Sequence, residues 1–372
     1  MTRLASQPAL GLPAPDARAA LGFSVNRRPR EVAIVLGLVV LLGVLFLLSL
    51  ALGSTSVPLT RVVQALMGTS PERDAAVIVV ETIRLPRALT AMLAGAALGI
   101  AGLQMQTLFR NPLADPFALG ISSGASLGVA LVVLGSGYGA AAAFGSTMGV
   151  RGDALVTVAA IVGAALVLGL VLLVSSRIAN PTTVLILGLM FGYAVSAVVT
   201  VLVGASQPER LQQWAQWQFG SFSGVTWQRL RLFGPLTVLG VLIASASTKQ
   251  LNALLLGENY ARSMGLAVRS ARLLTMLGAS VLGAVVTAFC GPISFLGIAV
   301  PHLCRGLLGT SDHRVLVPAV VLMGGAVALV AQIVSLLPGR AGVLPLNAVT
   351  SLLGAPVVVF VLVRSRRGAF AG

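Results

Sequence analysis

Residues 84–128 read RLPRALTAMLAGAALGIAGLQMQTLFRNPLADPFALGISSGASLG, and this stretch decides the fold class. An apolar run long enough to cross a bilayer leads into a sharp polar turn, Arg110-Asn111-Pro112-Leu113-Ala114-Asp115-Pro116. A second apolar run follows, studded with Gly and Ser. A soluble domain has little use for two such helices joined by so rigid an elbow. A bundle of membrane-spanning helices does.

Composition agrees. The 372 residues are 57% hydrophobic and 9% charged, against roughly a quarter charged in an average soluble domain. Lipid offers no partner for backbone N–H and C=O groups, so spans must be helices or a closed barrel. Long apolar blocks, rather than short alternating segments, select helices. Ten crossings follow, at residues 32–52, 88–108, 117–134, 154–174, 183–203, 232–248, 273–290, 293–308, 315–337 and 347–363. The first apolar run is about 20 residues, beyond the roughly 7–15 of a signal-peptide core, and is read as an uncleaved helix. The fold class is therefore an all-α membrane protein. Residues 1–30 are expected to be a disordered cytoplasmic tail, 31–367 a single transmembrane domain and 368–372 a short cytoplasmic tail.

The net charge of +15 does not indicate nucleic acid, because the cations sit scattered at the ends of apolar segments rather than in one stripe. With ten helices both termini share a side, and that side holds 16 of the 25 Lys and Arg residues. By the positive-inside bias it is cytoplasmic. Cys290 and Cys304 both fall in apolar segments at a spacing that fits no zinc motif, and they read as small core residues.

Absences narrow the function. All ten carboxylates fall in tails, loops or helix ends, whereas an ion-coupled carrier needs ionisable groups at membrane depth. Only His302, after Pro301, titrates within a span. A phosphate-cradling loop needs its lysine, and the single lysine, Lys249, has no glycine-rich loop before it. Energy must then come from another subunit. Gly120-Ile121-Ser122-Ser123-Gly124 formally fits G-x-S-x-G, with His302 as a conceivable base, but that motif needs a strand–turn–helix setting. The same letters give Gly120, Gly124 and Gly128 one turn apart, a stripe for close helix packing. Gly95 with Gly99, and Gly188 with Gly192, repeat the pattern. Residues 251–266, LNALLLGENYARSMGL, form a short amphipathic segment on the basic side, suited either to the membrane surface or to a partner's groove. On the opposite face Trp214, Trp217 and Trp227 cluster, as an interfacial anchor or the mouth of a pathway.

The motifs RLPR, GLQMQTLFRNPLADPFALGISSGASLG, LGENYARSMGL, GPISFLGIAVPHLCR, SDHRVLVP and LPLNAVTSLLGAPVVVFVL occur in that order. In this the chain resembles the permeases of bacterial ABC importers for iron–siderophore complexes, haem and cobalamin (type II importers), over about residues 32–364. The resemblance implies a homodimeric or pseudo-dimeric permease of the bacterial inner membrane, two cytoplasmic ABC ATPase subunits that bind ATP and Mg, and an extracytoplasmic substrate-binding protein. It implies no catalytic residue, no metal site and no cofactor in this chain. Gly257, Glu258, Ala261, Arg262 and Gly265 match the segment that couples to the ATPase. Arg84 and Arg87 match arginines that hold carboxylates of the binding protein. The third such arginine falls on Leu336, with Arg340 four residues later. Pro181, Thr182 and Thr183 match the cytoplasmic gate, while Gly188, Gly192, Asn347, Thr350 and Ser351 would line the path. The expected cargo is a ferric siderophore, with haem or cobalamin as the alternative within the family. From other classes, an intramembrane serine hydrolase using Ser122 and a proton-coupled carrier remain to be tested against it.

Overall fold

The computed structural model describes residues 27–53, 55–69, 74–135, 152–178, 180–336 and 342–369, and every regular element among them is helical. The first half of the chain gives α1 (Arg27–Ala51), α2 (Leu59–Met67), α3 (Ala75–Val79), α4 (Leu85–Phe109), α5 (Ile121–Val133), α6 (Asp153–Ser175) and α7 (Pro181–Gly204). The second gives α8 (Pro208–Gln218), α9 (Trp227–Ala246), α10 (Thr248–Leu255), α11 (Glu258–Ser263), α12 (Val268–Cys290), α13 (Leu296–Leu308), α14 (His313–Leu336) and α15 (Leu346–Ala369). A π-type turn at Val80–Arg84 joins α3 to α4 without a break.

Helix α4 is the centre of the bundle. Every residue from Ala94 to Phe109 is buried, and α9, α12, α13 and α14 pack round it. The packing is close because the facing residues are small. A Cβ on Gly95 would stand 2.1 Å from the Gly324 carbonyl oxygen of α14, and one on Gly102 would stand 1.8 Å from the Gly297 oxygen of α13. Backbones in van der Waals contact are how helices associate where lipid removes the hydrophobic drive. The stripe beginning at Gly120 works the same way: a Cβ on Gly128 would stand 2.0 Å from the Ala159 oxygen of α6.

Seven helical segments among the described residues are long and apolar enough to cross a membrane: α1, the continuous α3–α4 rod, α6, α7, α9, α12 and α14. The other three expected crossings are shorter apolar helices, Ile121–Val133, Leu296–Leu308 and Leu346–Val359. For two of them the reason is visible. The elbow before α5 enters the bundle through irregular chain and a short 3-10 turn at Pro116–Leu119, with Pro116 against Gly283 in the middle of α12. The bend before α13 does likewise, with Phe295 left-handed at φ 68°. Such backbone is tolerated at depth only when protein surrounds it.

Two placements add to the expectations. Helix α1 begins at Arg27, inside the tail expected to reach residue 30, and α15 runs on to Ala369; residues 1–26 lie outside the described residues. Asp115, expected in a loop, does lie in one, but that loop is folded inside the bundle. Asp115 is buried beside Gly297, and its Oδ1 accepts from the Phe117 N–H at 2.8 Å. Cys290 and Cys304 are buried free thiols. The outer faces of α1, α6 and α9 stay apolar and open, as lipid-facing helices require.

Candidate functional site

The functional candidates gather on the elbow side. Arg110 ends α4 in a left-handed conformation at φ 47°, which turns its side chain back across the end of the bundle. There its Nη2 donates to the Leu254 carbonyl of α10 at 3.2 Å. Gly257 follows α10 at φ 117°, a conformation that L side chains rarely adopt. A Cβ there would also press on the Arg110 guanidinium at 3.0 Å. Position 257 is thus held to glycine both by backbone geometry and by a neighbour.

Glu258 opens α11 and ties it to α12. Its carboxylate pairs with Arg272 in a short contact, and with Arg262 across one helical turn at 3.7 Å. Arg272 is nearly buried whereas Arg262 is open, so the first pair is the firmer one. Ala261 is fully buried beneath the segment, and the chain reverses at Gly265, whose N–H bonds the Arg262 carbonyl at 2.9 Å. All five coupling candidates therefore lie in one short structure clamped between α4 and α12.

The gate candidates stand beside it. Asn180 caps α7 by accepting from the Thr182 N–H at 2.9 Å, which fixes Pro181 and leaves Thr182 and Thr183 exposed. Pro181 and Thr182 share a cavity of about 710 Å³ with Arg110, Gly257, Glu258 and Tyr260. Elbow, gate and coupling segment thus border one space.

Behind this cavity a polar network braces the helix ends. Gln106 donates to the Ile298 carbonyl at 3.2 Å and accepts from Arg305. His302 Nε2 donates to the Pro112 carbonyl at 2.8 Å, locking the elbow onto α13. Asn252 of α10 accepts from His313 Nδ1 at 2.7 Å and donates to Asp312 at 2.7 Å, while His313 Nε2 lies 2.9 Å from the Thr107 hydroxyl. None of Arg110, Arg272, Asn252 or His313 was picked out from sequence as a site residue. The only advance signal was that each lies in or beside a polar break between apolar runs.

The structure gives the remaining candidates these surroundings. Arg84 does not present its guanidinium outward: it is 5% exposed and donates to the carbonyls of Leu50, Ala51 and Thr55 at 2.8, 2.8 and 2.5 Å. A cation there satisfies the open carbonyls at the end of α1. Gly188 and Gly192 face the elbow and α5 rather than an open path, a Cβ on Gly188 standing 2.7 Å from the Ala118 oxygen. Asn347 acts as a backbone clamp, its Oδ1 accepting from Ser294 N–H at 3.0 Å and its own N–H donating to the Phe219 carbonyl at 2.9 Å. Thr350 and Ser351 turn back to the Asn347 carbonyl at 3.1 and 2.7 Å. Arg87 is half-buried beside Ser221, Ser223 and Gln332 on the face opposite the elbow. Arg340 lies outside the described residues. Among the described residues no three His, Cys, Asp or Glu side chains gather as a metal site would require.

Known proteins resemble this chain in sequence and fold. The FecCD transport family matches residues 41–364. The vitamin B12 import system permease protein BtuC of Klebsiella pneumoniae is 40% identical over 286 residues, covering 76% of this chain and 82% of that protein. BtuC of Citrobacter koseri is 37% identical over 287 residues, covering 77% and 83%. Among solved structures, an inward-facing conformation of a metal-chelate type ABC transporter superposes with a TM-score of 0.76 at 28% identity, covering 89% of this chain and 99% of that one. The architecture is that of a type II ABC importer permease, and the apolar helices together with these permease relatives make it a multi-pass inner-membrane protein. A match across most of its length, together with relatives at this identity, establishes that the chain belongs to the FecCD transport family of ABC importer permeases.

Proposed function

We propose that this chain is the passive half of an ATP-driven importer of a bulky, already coordinated metal chelate. The elbow side faces the cytoplasm. There the segment from Gly257 to Gly265 docks into a separate ATPase, which binds ATP and Mg. The single observation behind this reading is the 710 Å³ cavity that brings the gate, the elbow and the coupling segment together. A push on α11 reaches α12 through Glu258 and Arg272, and reaches the end of α4 through Gly257 and Arg110. Both routes end beside Pro181 and Thr182, where the path would open.

Two copies of the chain form the path between them. The exposed face of α7, with Met190, Tyr193 and Val201, supplies its wall in place of Gly188 and Gly192. A wall of aliphatic and small polar groups lets a large chelate pass without trapping its metal. A loaded binding protein docks on the opposite face. Arg87 is the arginine available to it, since Arg84 is occupied with backbone carbonyls.

A ferric siderophore is the first cargo reading. A corrinoid is the second, favoured by relatives named as vitamin B12 permeases. The deciding experiment is uptake by the reconstituted permease, ATPase and binding protein, offered a ferric siderophore and cobalamin separately. ATP-dependent accumulation of one and not the other assigns the cargo. Accumulation of neither, with a bare metal ion taken up instead, contradicts the chelate reading.

A further inference from the structure

Four arginines converge where α6 ends and α12 begins. Arg177, Arg262, Arg269 and Arg272 line one cavity of about 250 Å³ together with Ser175 and Ser176. Among the described residues a single carboxylate offsets them, and it is shared: Glu258 pairs with both Arg272 and Arg262. Arg269 donates to the Ser176 carbonyl at 2.5 Å, and neither it nor Arg177 has a carboxylate within ion-pair distance. Helix α12 starts at this cavity with no acidic residue in its first turn and no side-chain cap, so its positive end adds to the field. A walled space with surplus guanidinium suits phosphate oxygens, which planar N–H forks grip in pairs.

What lies beside the cavity names the source of the phosphate. On α6, Leu166, Leu170 and Leu173 recur at steps of four and three residues, so they share one stripe, and Arg177 stands in the turn just past the end of that helix. The three leucines are 65%, 50% and 66% exposed. An apolar, outward-facing track thus runs along the membrane span and ends at a basic pocket. An acyl chain laid on the leucines delivers its phosphodiester to Arg177. A soluble phosphate has no use for the track. Basic pockets between helix ends on the positive side of membrane proteins take anionic headgroups on this principle.

We propose that this cavity binds the phosphate of an anionic membrane phospholipid, held chiefly by Arg177 and Arg269. The headgroup bridges the end of α6 to the start of α12, directly under the segment Glu258–Ser263. The bound lipid thereby neutralises the two arginines that Glu258 leaves uncompensated and braces the base on which that segment stands.

The test is native mass spectrometry of the full-length chain in non-ionic detergent, with dioleoyl phosphatidylglycerol or dioleoyl phosphatidylcholine added at equal concentration. Both faces are accessible in a micelle, so the outcome is independent of the orientation and transport readings above. Phosphatidylglycerol should be retained preferentially. Arg177→Gln and Arg269→Gln should each weaken its retention on the order of fivefold, from about 1 kcal/mol per arginine near a phosphate surface. Arg177→Lys, on an exposed site where folding is not at stake, should restore most of it. Equal retention of the two lipids, or retention unchanged in both Gln variants, overturns the proposal. So does displacement of the lipid by millimolar inorganic phosphate, which would make the ligand a free anion. Retention of no lipid, with the same variants instead losing affinity for the ATPase subunit, would assign the cavity to a protein partner and overturn it too.

Discussion

Arg110 and Gly257 touch across the elbow side: a Cβ on Gly257 would lie 3.0 Å from Arg110 Nη2, which itself donates to the Leu254 carbonyl at 3.2 Å. Through this contact the end of the central helix α4 meets the segment to which coupling is assigned. Gly257→Ala forces a side chain into a backbone region that costs about 1–3 kcal/mol for non-glycine residues. The variant should insert in the membrane yet lose stimulation of ATPase by loaded binding protein. Coupling at the wild-type level in Gly257→Ala would remove this contact from the account.

The two ion pairs of Glu258 should be unequal. The pair with nearly buried Arg272 is shielded, whereas Arg262 keeps 64% of its side chain in solvent. Exposed pairs contribute about 0–1 kcal/mol. Double-mutant cycles on thermal stability should give a larger interaction energy for Glu258→Gln with Arg272→Gln than with Arg262→Gln. Equal energies would mean that the clamp to α12 is not the firmer one.

Close packing makes a sharper prediction at the core. A Cβ on Gly95 would stand 2.1 Å from the Gly324 oxygen, while one on Gly43 of α1 meets nothing within 4 Å. Gly95→Ala should cost at least the roughly 1–3 kcal/mol of an overpacked core, read as a fall in Tm in detergent. Gly43→Ala should leave Tm nearly unchanged. A reversed order would put the α4–α14 contact elsewhere.

Asp312 gives a pH signature outside the spans. Partial burial pushes its carboxyl up, but the Arg314 N–H and the Asn252 amide outweigh this and hold it below the ordinary 3.8. A depressed carboxylate stabilises the fold above the unfolded value and loses that contribution as pH falls through the folded one. The Tm gap between the wild type and Asp312→Ala should therefore be constant from neutral pH down to about 5 and then close in acid. A gap that widens in acid would give the wrong sign.

Much of this was legible in the sequence, and the failures are instructive. Blocks of apolar residues long enough for a bilayer placed all ten helical segments, because hydropathy and length are properties of the segment itself. The Arg110–Pro116 elbow was visible as a polar interruption, but not that it folds inward to set Asp115 beside Gly297. That depends on a partner 182 positions away, whose lack of a side chain makes room. Glycines four apart announced close contacts at Gly188 and Gly192 without saying which face they served. The outward placement of Arg84 rests on its match to docking arginines of the family, and sequence hides its acceptors. Those acceptors are the carbonyls of Leu50 and Ala51 at the end of α1 and of Thr55 just beyond it, invisible to any count of carboxylates. The clamp of Glu258 on Arg272 escaped for the same reason, since it joins two elements across a glycine turn.

Proteoliposome uptake tests the central claim most directly, with the permease reconstituted alone or with its ATPase, ATP and loaded binding protein. The complete assembly should concentrate the chelate inside, and Glu258→Gln should uncouple that uptake from ATP consumption. The chain by itself should move none of it uphill. Concentrative uptake by the permease alone would contradict the claim that its energy arrives through the Gly257–Gly265 segment.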